Sequence, residues 1–261
     1  MKRILVLLAS LAVSCTLGFA QTGDDQSTAG TDKNKATQAE RDAENRADTQ
    51  HEKDTKAADR ADAAAKVLRE ISNTPDKGIP NDILRDAKCV IVIPSMKKAG
   101  FILGGRYGRG FATCRSPHGW SAPAPVFMGG GSAGFQIGGE GVDLILVVMN
   151  DKGVQHLLAS KFEIGTDASA AAGPVGRSAS ADTDVKLNSE MLSYSRAKGL
   201  FAGVELNGAK LRQDDDTTKQ LYGKVIPFKD LLSGSVPTPP VARDFVAEVQ
   251  RDFREARAQN K

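Results

Sequence analysis

Cys89-Val90-Ile91-Val92-Ile93-Pro94 places four β-branched residues in a row and ends on a proline. Branching at Cβ crowds a helical turn and suits a pleated surface, so the run reads as a strand buried on both faces. Outward from it, Phe101 to Gly105 and Gly110 to Arg115 follow at hairpin spacing, and Val142 to Met149 is a second run of the buried type. Leu192 to Arg196, Leu200 to Leu206 and Ala209 to Arg212 form a third group, broken by Gly199 and the Asn207-Gly208 turn. Short helices are expected at Asn81 to Lys88, Val154 to Ser160, Asp216 to Tyr222 and Phe228 to Ser233. Strands that come in consecutive groups, without regular strand-helix alternation, predict an α+β fold: one β-rich domain with an antiparallel sheet and flanking helices.

The 261 residues are 40% apolar and 26% charged, with 35 basic against 32 acidic side chains, a formal charge of +3. So small a balance excludes a nucleic-acid coat and leaves any anionic partner to a local patch. Met1-Lys2-Arg3 followed by the apolar Ile4 to Val13 reads as a signal peptide over residues 1–20, with Gly18-Phe19-Ala20 before a cut at Gln21. A second reading takes Ala12-Val13-Ser14-Cys15 as an imperfect lipobox, with Cys15 acylated as a lipoprotein anchor. Both predict export, to the periplasm or outer envelope. From Gln21 to Ala65 there is no Val, Ile, Leu, Met, Phe, Trp or Tyr, and eleven acidic residues face seven basic ones. Residues 21–57 are therefore expected to be a disordered acidic, Ala-rich tail. Ala61, Ala65, Leu68 and Ile71 then mark an amphipathic helix starting near Ala57, stopped by Pro75 and the Gly78-Ile79-Pro80 turn. The folded domain is set at 58–233. Beyond it, 234–261 reads as a Pro-rich linker and a helix whose Val241, Phe245, Val249 and Phe253 pack on the domain.

Apart from Cys15 the chain holds two cysteines, Cys89 and Cys114. An even pair in an exported protein predicts a disulfide. A zinc site would want about four ligands, and His118 is the only histidine near either cysteine. None of the three histidines stands in a catalytic or metal motif, so neither an enzyme, a cofactor nor a metal is expected. Asp214-Asp215-Asp216 is read as the cap of a helix beginning near Thr217. Trp120 is read as a core or turn anchor rather than a lipid-inserting side chain.

The strongest asymmetry is electrostatic. From Lys88 through Gly139 there are six basic residues, Lys88, Lys97, Lys98, Arg106, Arg109 and Arg115, and no acidic one. Near an anionic bilayer each cation contributes about 1 kcal/mol, so these six are the candidate lipid-binding residues; a solvated basic surface without a partner is the alternative. Gly104 to Gly110 is read as a flexible glycine-rich loop in which Arg106 and Arg109 grip a phosphate, against a plain hairpin turn. It lacks the pattern of a P-loop or a dinucleotide site.

Several blocks occur together: Gly78-Ile79-Pro80, Val90-Ile91-Val92-Ile93-Pro94, Gly104-Gly105-Arg106-Tyr107-Gly108-Arg109-Gly110, Gly119-Trp120-Ser121-Ala122-Pro123, Ala172-Gly173-Pro174-Val175-Gly176-Arg177, and Ser193-Tyr194-Ser195-Arg196 leading into Gly199-Leu200-Phe201-Ala202-Gly203. In this order they resemble the SYLF domain, over roughly residues 58 to 224. The resemblance implies a non-catalytic protein that associates with membranes through anionic phospholipids, with phosphoinositide-type headgroups in the eukaryotic members. Actin binding by some eukaryotic members is not carried over to an exported chain. The alternative function is an envelope structural or adaptor protein whose partner is another protein.

Overall fold

The computed structural model of the chain describes residues 55–71, 78–100, 103–133, 141–176, 189–197 and 199–258. Residues 1–20, read above as a signal peptide, nearly all of the acidic tail, Pro75, Phe101, Gly138-Gly139 and Arg177 lie outside the described residues. Helix α1 covers residues 55–71. It is followed by α2 (Asn81–Asp86), β1 (Cys89–Gly100), β2 (Leu103–Ser116), β3 (Gly119–Trp120), β4 (Ala124–Ala133) and β5 (Val142–Val148). Then come α3 (Asp151–Leu158), β6 (Lys161–Glu163), β7 (Ala170–Ala172), β8 (Met191–Ala197), β9 (Leu200–Gly203) and β10 (Ala209–Gln213). Helices α4 (Asp215–Tyr222), α5 (Phe228–Leu232) and α6 (Arg243–Ala258) complete the chain. The fold is α+β, as the strand grouping predicts.

One sheet carries the order β6-β10-β4-β2-β1-β5-β8-β7, with β9 also on β8 and β3 on β2. All pairings are antiparallel except β7 with β8. Laid flat, eight strands would hold their edges about 34 Å apart. The chain runs from edge strand β6 to edge strand β7 through residues 164–169, a link that reaches about 25 Å at most. The sheet must therefore curl.

Curling gives it two cores. In β1, Val90 and Val92 point outward beneath α1, α2 and α6, against Leu68, Ile83, Phe245 and Phe253. Ile91 and Ile93 point into the curl, with Leu144, Leu146, Leu157 of α3 and Phe228 of α5. Both faces of β1 from Cys89 to Pro94 and of β5 are buried, which is why these stretches lack polar alternation. Helix α6 puts Phe245, Val249 and Phe253 into the outer core, and Trp120 meets Phe253 edge-on at 4.6 Å, an anchor and not a free interfacial ring.

Two expectations need correction. Pro94 does not end β1; the strand continues to Gly100, and its pairing shifts between Val92 and Lys97 on one side and between Ile93 and Met96 on the other. Proline has no N–H to give to a ladder, so it is tolerated where a bulge interrupts the register. Gly104 to Gly110 is not a loop but the first half of β2. Its glycines serve close packing: a Cβ on Gly108 would stand 2.5 Å from Ile93 Cγ2, and one on Gly110 would stand 1.9 Å from the Val92 carbonyl oxygen.

Cys89 and Cys114 face one another across β1 and β2 and form the expected disulfide, with a sequence separation of 25. On the chain-entropy relation a loop of that size stabilises the fold by about 3 kcal/mol. Reduction with a strong thiol is therefore expected to lower the melting temperature by roughly 6–12 °C. A calorimetric scan with and without reductant measures it, and identical scans would show that the bond contributes nothing.

Candidate functional site

Strand alternation sends the arginines of β2 to both sheet faces. On β2, Phe111 belongs to the outer core, so Arg109, Tyr107 and Arg115 share its outer side, while Arg106 lies on the inner side. There the Arg106 Nη2 donates to the Asn207 carbonyl at 2.9 Å, holding the turn before β10, and burial lowers its pKa. Arg115 donates from Nε to the Ala87 carbonyl at 2.6 Å and from Nη2 to those of Leu84 and Arg85, closing the C-terminal end of α2. Its guanidinium also lies 4.9 Å over the Trp120 ring. Burial, with Arg257 adding repulsion, pushes its pKa down to about 10. Lys88 pairs with Asp151 at 3.1 Å on the surface. Lys97 is exposed and stands opposite Tyr107 in the register, on the outer side. Lys98 stands opposite Arg106, and its side chain lies outside the described residues.

Of the six, Arg109 lines a cleft. Its Nη1 donates to both oxygens of Asp214, at 3.2 and 2.9 Å. Asp214 caps α4, as the Asp-rich triplet suggested: it accepts from the Thr217 N–H at 3.2 Å and from the Thr217 hydroxyl at 2.8 Å. A buried carboxylate thus anchors Arg109 and starts the helix together. The cleft is about 750 Å³ and is walled by Lys56 and Arg60 of α1, by Arg109, and by Asp216, Thr217 and Lys219 of α4. Arg60 Nη1 reaches the Thr217 hydroxyl at 3.5 Å. Burial lowers the Arg60 pKa, opposed by Asp214 and reinforced by Arg109.

Sequence reasoning missed Lys56, Arg60 and Lys219. A signal existed for two of them: Lys56 and Arg60 are four apart and each immediately precedes a residue of the apolar stripe, Ala57 and Ala61, so they form a basic row on its flank. Nothing local ties that row to Arg109 or Lys219. Arg109 and the Thr217 hydroxyl bond Asp214, and the further cations Lys56, Arg60 and Lys219 line the cleft, an arrangement suited to holding an anion. Among the described residues no group of three or more His, Cys, Asp or Glu side chains could hold a metal ion, and no helix is long and apolar enough to cross a membrane.

Comparison with known proteins places this geometry in context. Residues 129–251 match a family described as Ysc84, Las17-binding protein actin regulator. The chain is 35% identical over 202 residues to the SH3 domain-containing YSC84-like protein 1 of Rattus norvegicus, covering 75% of this chain and 59% of the relative. The human protein of that name is 34% identical over 202 residues, covering 75% and 58%. Protein YSC84 of Saccharomyces cerevisiae is 36% identical over 190 residues, covering 69% and 40%. The chain thus spans less than two thirds of each relative's length, while the family match runs into α6.

Proposed function

The chain carries a Ysc84 domain and belongs to the SYLF family, and from that premise we propose that it is an exported, non-catalytic protein that binds anionic phospholipid surfaces peripherally. The observation that carries the reading is the convergence of Lys56, Arg60, Arg109 and Lys219, from α1, β2 and α4, on one outer-face cleft. Exposed Tyr107 and Lys97 lie on the same face, Tyr107 two residues along β2 from Arg109. A tyrosine beside cations suits the headgroup level of a bilayer. The membrane-facing surface is accordingly Lys97, Tyr107, Arg109 and the cleft, while Lys88, Arg106 and Arg115 hold the fold together. Export is supported by the basic-then-apolar N-terminus and by the Cys89–Cys114 disulfide, a bond that persists in oxidising compartments. The binding surface reaches Lys56, two residues ahead of the domain start expected at 58, and α6 closes the outer core.

Full-length protein is expected to float with vesicles in proportion to their anionic fraction and to be released by salt. At about 1 kcal/mol per cation at a charged surface, the double reversal Lys56→Glu with Lys219→Glu lowers partitioning by at least about tenfold. Lys229→Gln, on a distant exposed position of α5, leaves it unchanged. Failure to float at any anionic content would favour the second reading, an adaptor for another protein, which the description of the matched family as binding Las17 supports.

A further inference from the structure

The outer face of the sheet has two halves. Over β1, β5 and β8 it is buried beneath α1, α2 and α6, against Leu68, Ile83 and Phe245. Over β2, β4, β10 and β6 its side chains emerge instead, and register fixes which of them stand together, since direct partners in a ladder share one face. Lys161, Arg212, Phe127 and Arg109 make one row; Glu163, Lys210, Gly129, Tyr107 and Lys97 make the next. Lys97, Tyr107, Lys161, Lys210 and Arg212 are all exposed. Glu163 pairs with Lys210 at 3.3 Å and Asp214 with Arg109 at 2.9 Å. Lys97, Lys161 and Arg212 pair with no acidic side chain among the described residues. The result is a strip with a positive excess, four strand spacings or about 19 Å from β6 to β1.

Two further features call for a ligand with rings. Tyr107, 48% exposed, stands beside a floor without side chains, made by Gly105 on its own strand and Gly129 opposite. Packing within the chain does not require Gly105: a Cβ there would meet nothing nearer than 4.0 Å, and its φ is not positive. A glycine inside a strand weakens it and often marks the close approach of a ligand. Next to this floor the Arg212 guanidinium lies 4.6 Å over the Phe127 ring. Stacking holds the planar fork in place, and such a fork takes a carboxylate by two parallel hydrogen bonds.

We infer that this half of the outer face is a docking surface for an acidic polysaccharide, a linear chain of sugar rings bearing carboxylates. A sugar ring has an apolar C–H face that lies flat on an exposed aromatic ring, and its carboxylate reaches the flanking cations. The outside of a curled sheet is convex and cannot enclose a compact ligand, whereas an extended chain meets it along the strip. The inference goes beyond the membrane reading, since the strip runs on from Lys97 and Tyr107 across β4 and β10 to Lys161 on β6.

Full-length protein is titrated calorimetrically with polygalacturonate, with polyglutamate as a polyanion without rings and dextran as rings without charge. Polygalacturonate is expected to bind at least about fivefold more tightly than polyglutamate at matched charge, and dextran not measurably. Lys161→Gln with Arg212→Gln lowers the affinity for polygalacturonate about tenfold, and Lys229→Gln leaves it unchanged. Gly105→Val fills the floor with a β-branched residue suited to a strand, and removes the preference for rings at an unchanged melting temperature. If that variant melts early, Tyr107→Ala, at an exposed position, repeats the comparison. Equal affinity for polygalacturonate and polyglutamate overturns the inference, because any polyanion would then do. Tight binding that the double variant retains overturns it by removing the strip from the site. Tighter binding of oligothymidylate than of polygalacturonate overturns it in favour of single-stranded nucleic acid. No binding of polygalacturonate by protein that still floats with anionic vesicles overturns it and leaves the membrane reading standing.

Discussion

Gly110→Ala is expected to destabilise the protein by about 3–5 kcal/mol and to lower its melting temperature by about 10–15 °C. The added methyl would lie 1.9 Å from the Val92 carbonyl oxygen and 2.8 Å from Ile93 Cα, both backbone atoms. Val92 is itself paired with Phe111 on β2 and with Ile145 on β5, so the backbone can retreat only by breaking ladder hydrogen bonds at the centre of the sheet. The neighbouring Gly108→Ala is the internal control. Its methyl would meet side-chain atoms, Ile93 Cγ2 and the Met96 chain. Methionine can re-pack at modest cost. Urea denaturation of the two variants measures the difference. A Gly110→Ala loss below about 1 kcal/mol, or equal losses for both, would show that β1 and β2 do not approach as described.

The second large effect belongs to Arg196. Its Nε donates to Asp143 Oδ2 at 2.8 Å, its Nη1 pairs with Glu70 of α1, and the Ser95 N–H at the β1 bulge donates to Asp143 Oδ1 at 2.8 Å. One guanidinium therefore ties the end of α1 to β5 and β8. Arg196→Met keeps the length of the side chain and removes its charge, leaving the mostly buried Asp143 without its cation; the cost is about 3–4 kcal/mol at neutral pH. The pH dependence has a definite sign. Burial raises the Asp143 pKa above its ordinary 3.8, against the opposing influence of the Ser95 N–H and Lys66. A carboxyl whose folded pKa is raised contributes stability that is fully present below the unfolded value and is lost as pH rises through the folded one. The deficit of Arg196→Met is therefore expected to be largest near pH 7 and to shrink as the pH is lowered toward about 4. Denaturation midpoints of variant and wild type across that range test it; a deficit constant with pH would exclude an unpaired Asp143 as the cause.

Much of the fold was legible because it rests on short-range patterns. β-branching over Val90 to Ile93, apolar runs at Val142 and Leu192, and the alanine-leucine stripe of α1 each report burial within a few residues, and each element stands where expected to within a few positions. The Cys89–Cys114 bond was expected from there being two candidate cysteines in a chain read as exported, and the structure forms it. Strands β3, β4, β6 and β7 were not foreseen. Gly129-Gly130-Gly131 hides β4 behind residues of low strand propensity, which are there because a Cβ on Gly130 would stand 2.6 Å from the Gly208 carbonyl oxygen of the adjoining turn.

The same division explains the site. Counting charge along the chain singled out Lys88 to Arg115, and the count was sound, but contiguity in sequence is not contiguity in space. Along β2 successive side chains leave opposite faces, so Arg106 and Arg109, three residues apart, are separated by the sheet itself. Arg115 and Lys88 found partners in α2 and α3. Arg109 instead meets Arg60, 49 positions earlier, and Asp214, 105 positions later. Residue types and their local periods settled the fold class, the disulfide and the presence of excess positive charge, since each depends on neighbours along the chain. Which cations share a cleft was decided only when a curled sheet brought α1 and α4 to the same side of β2, because that juxtaposition depends on long-range packing and leaves no periodic trace in the chain.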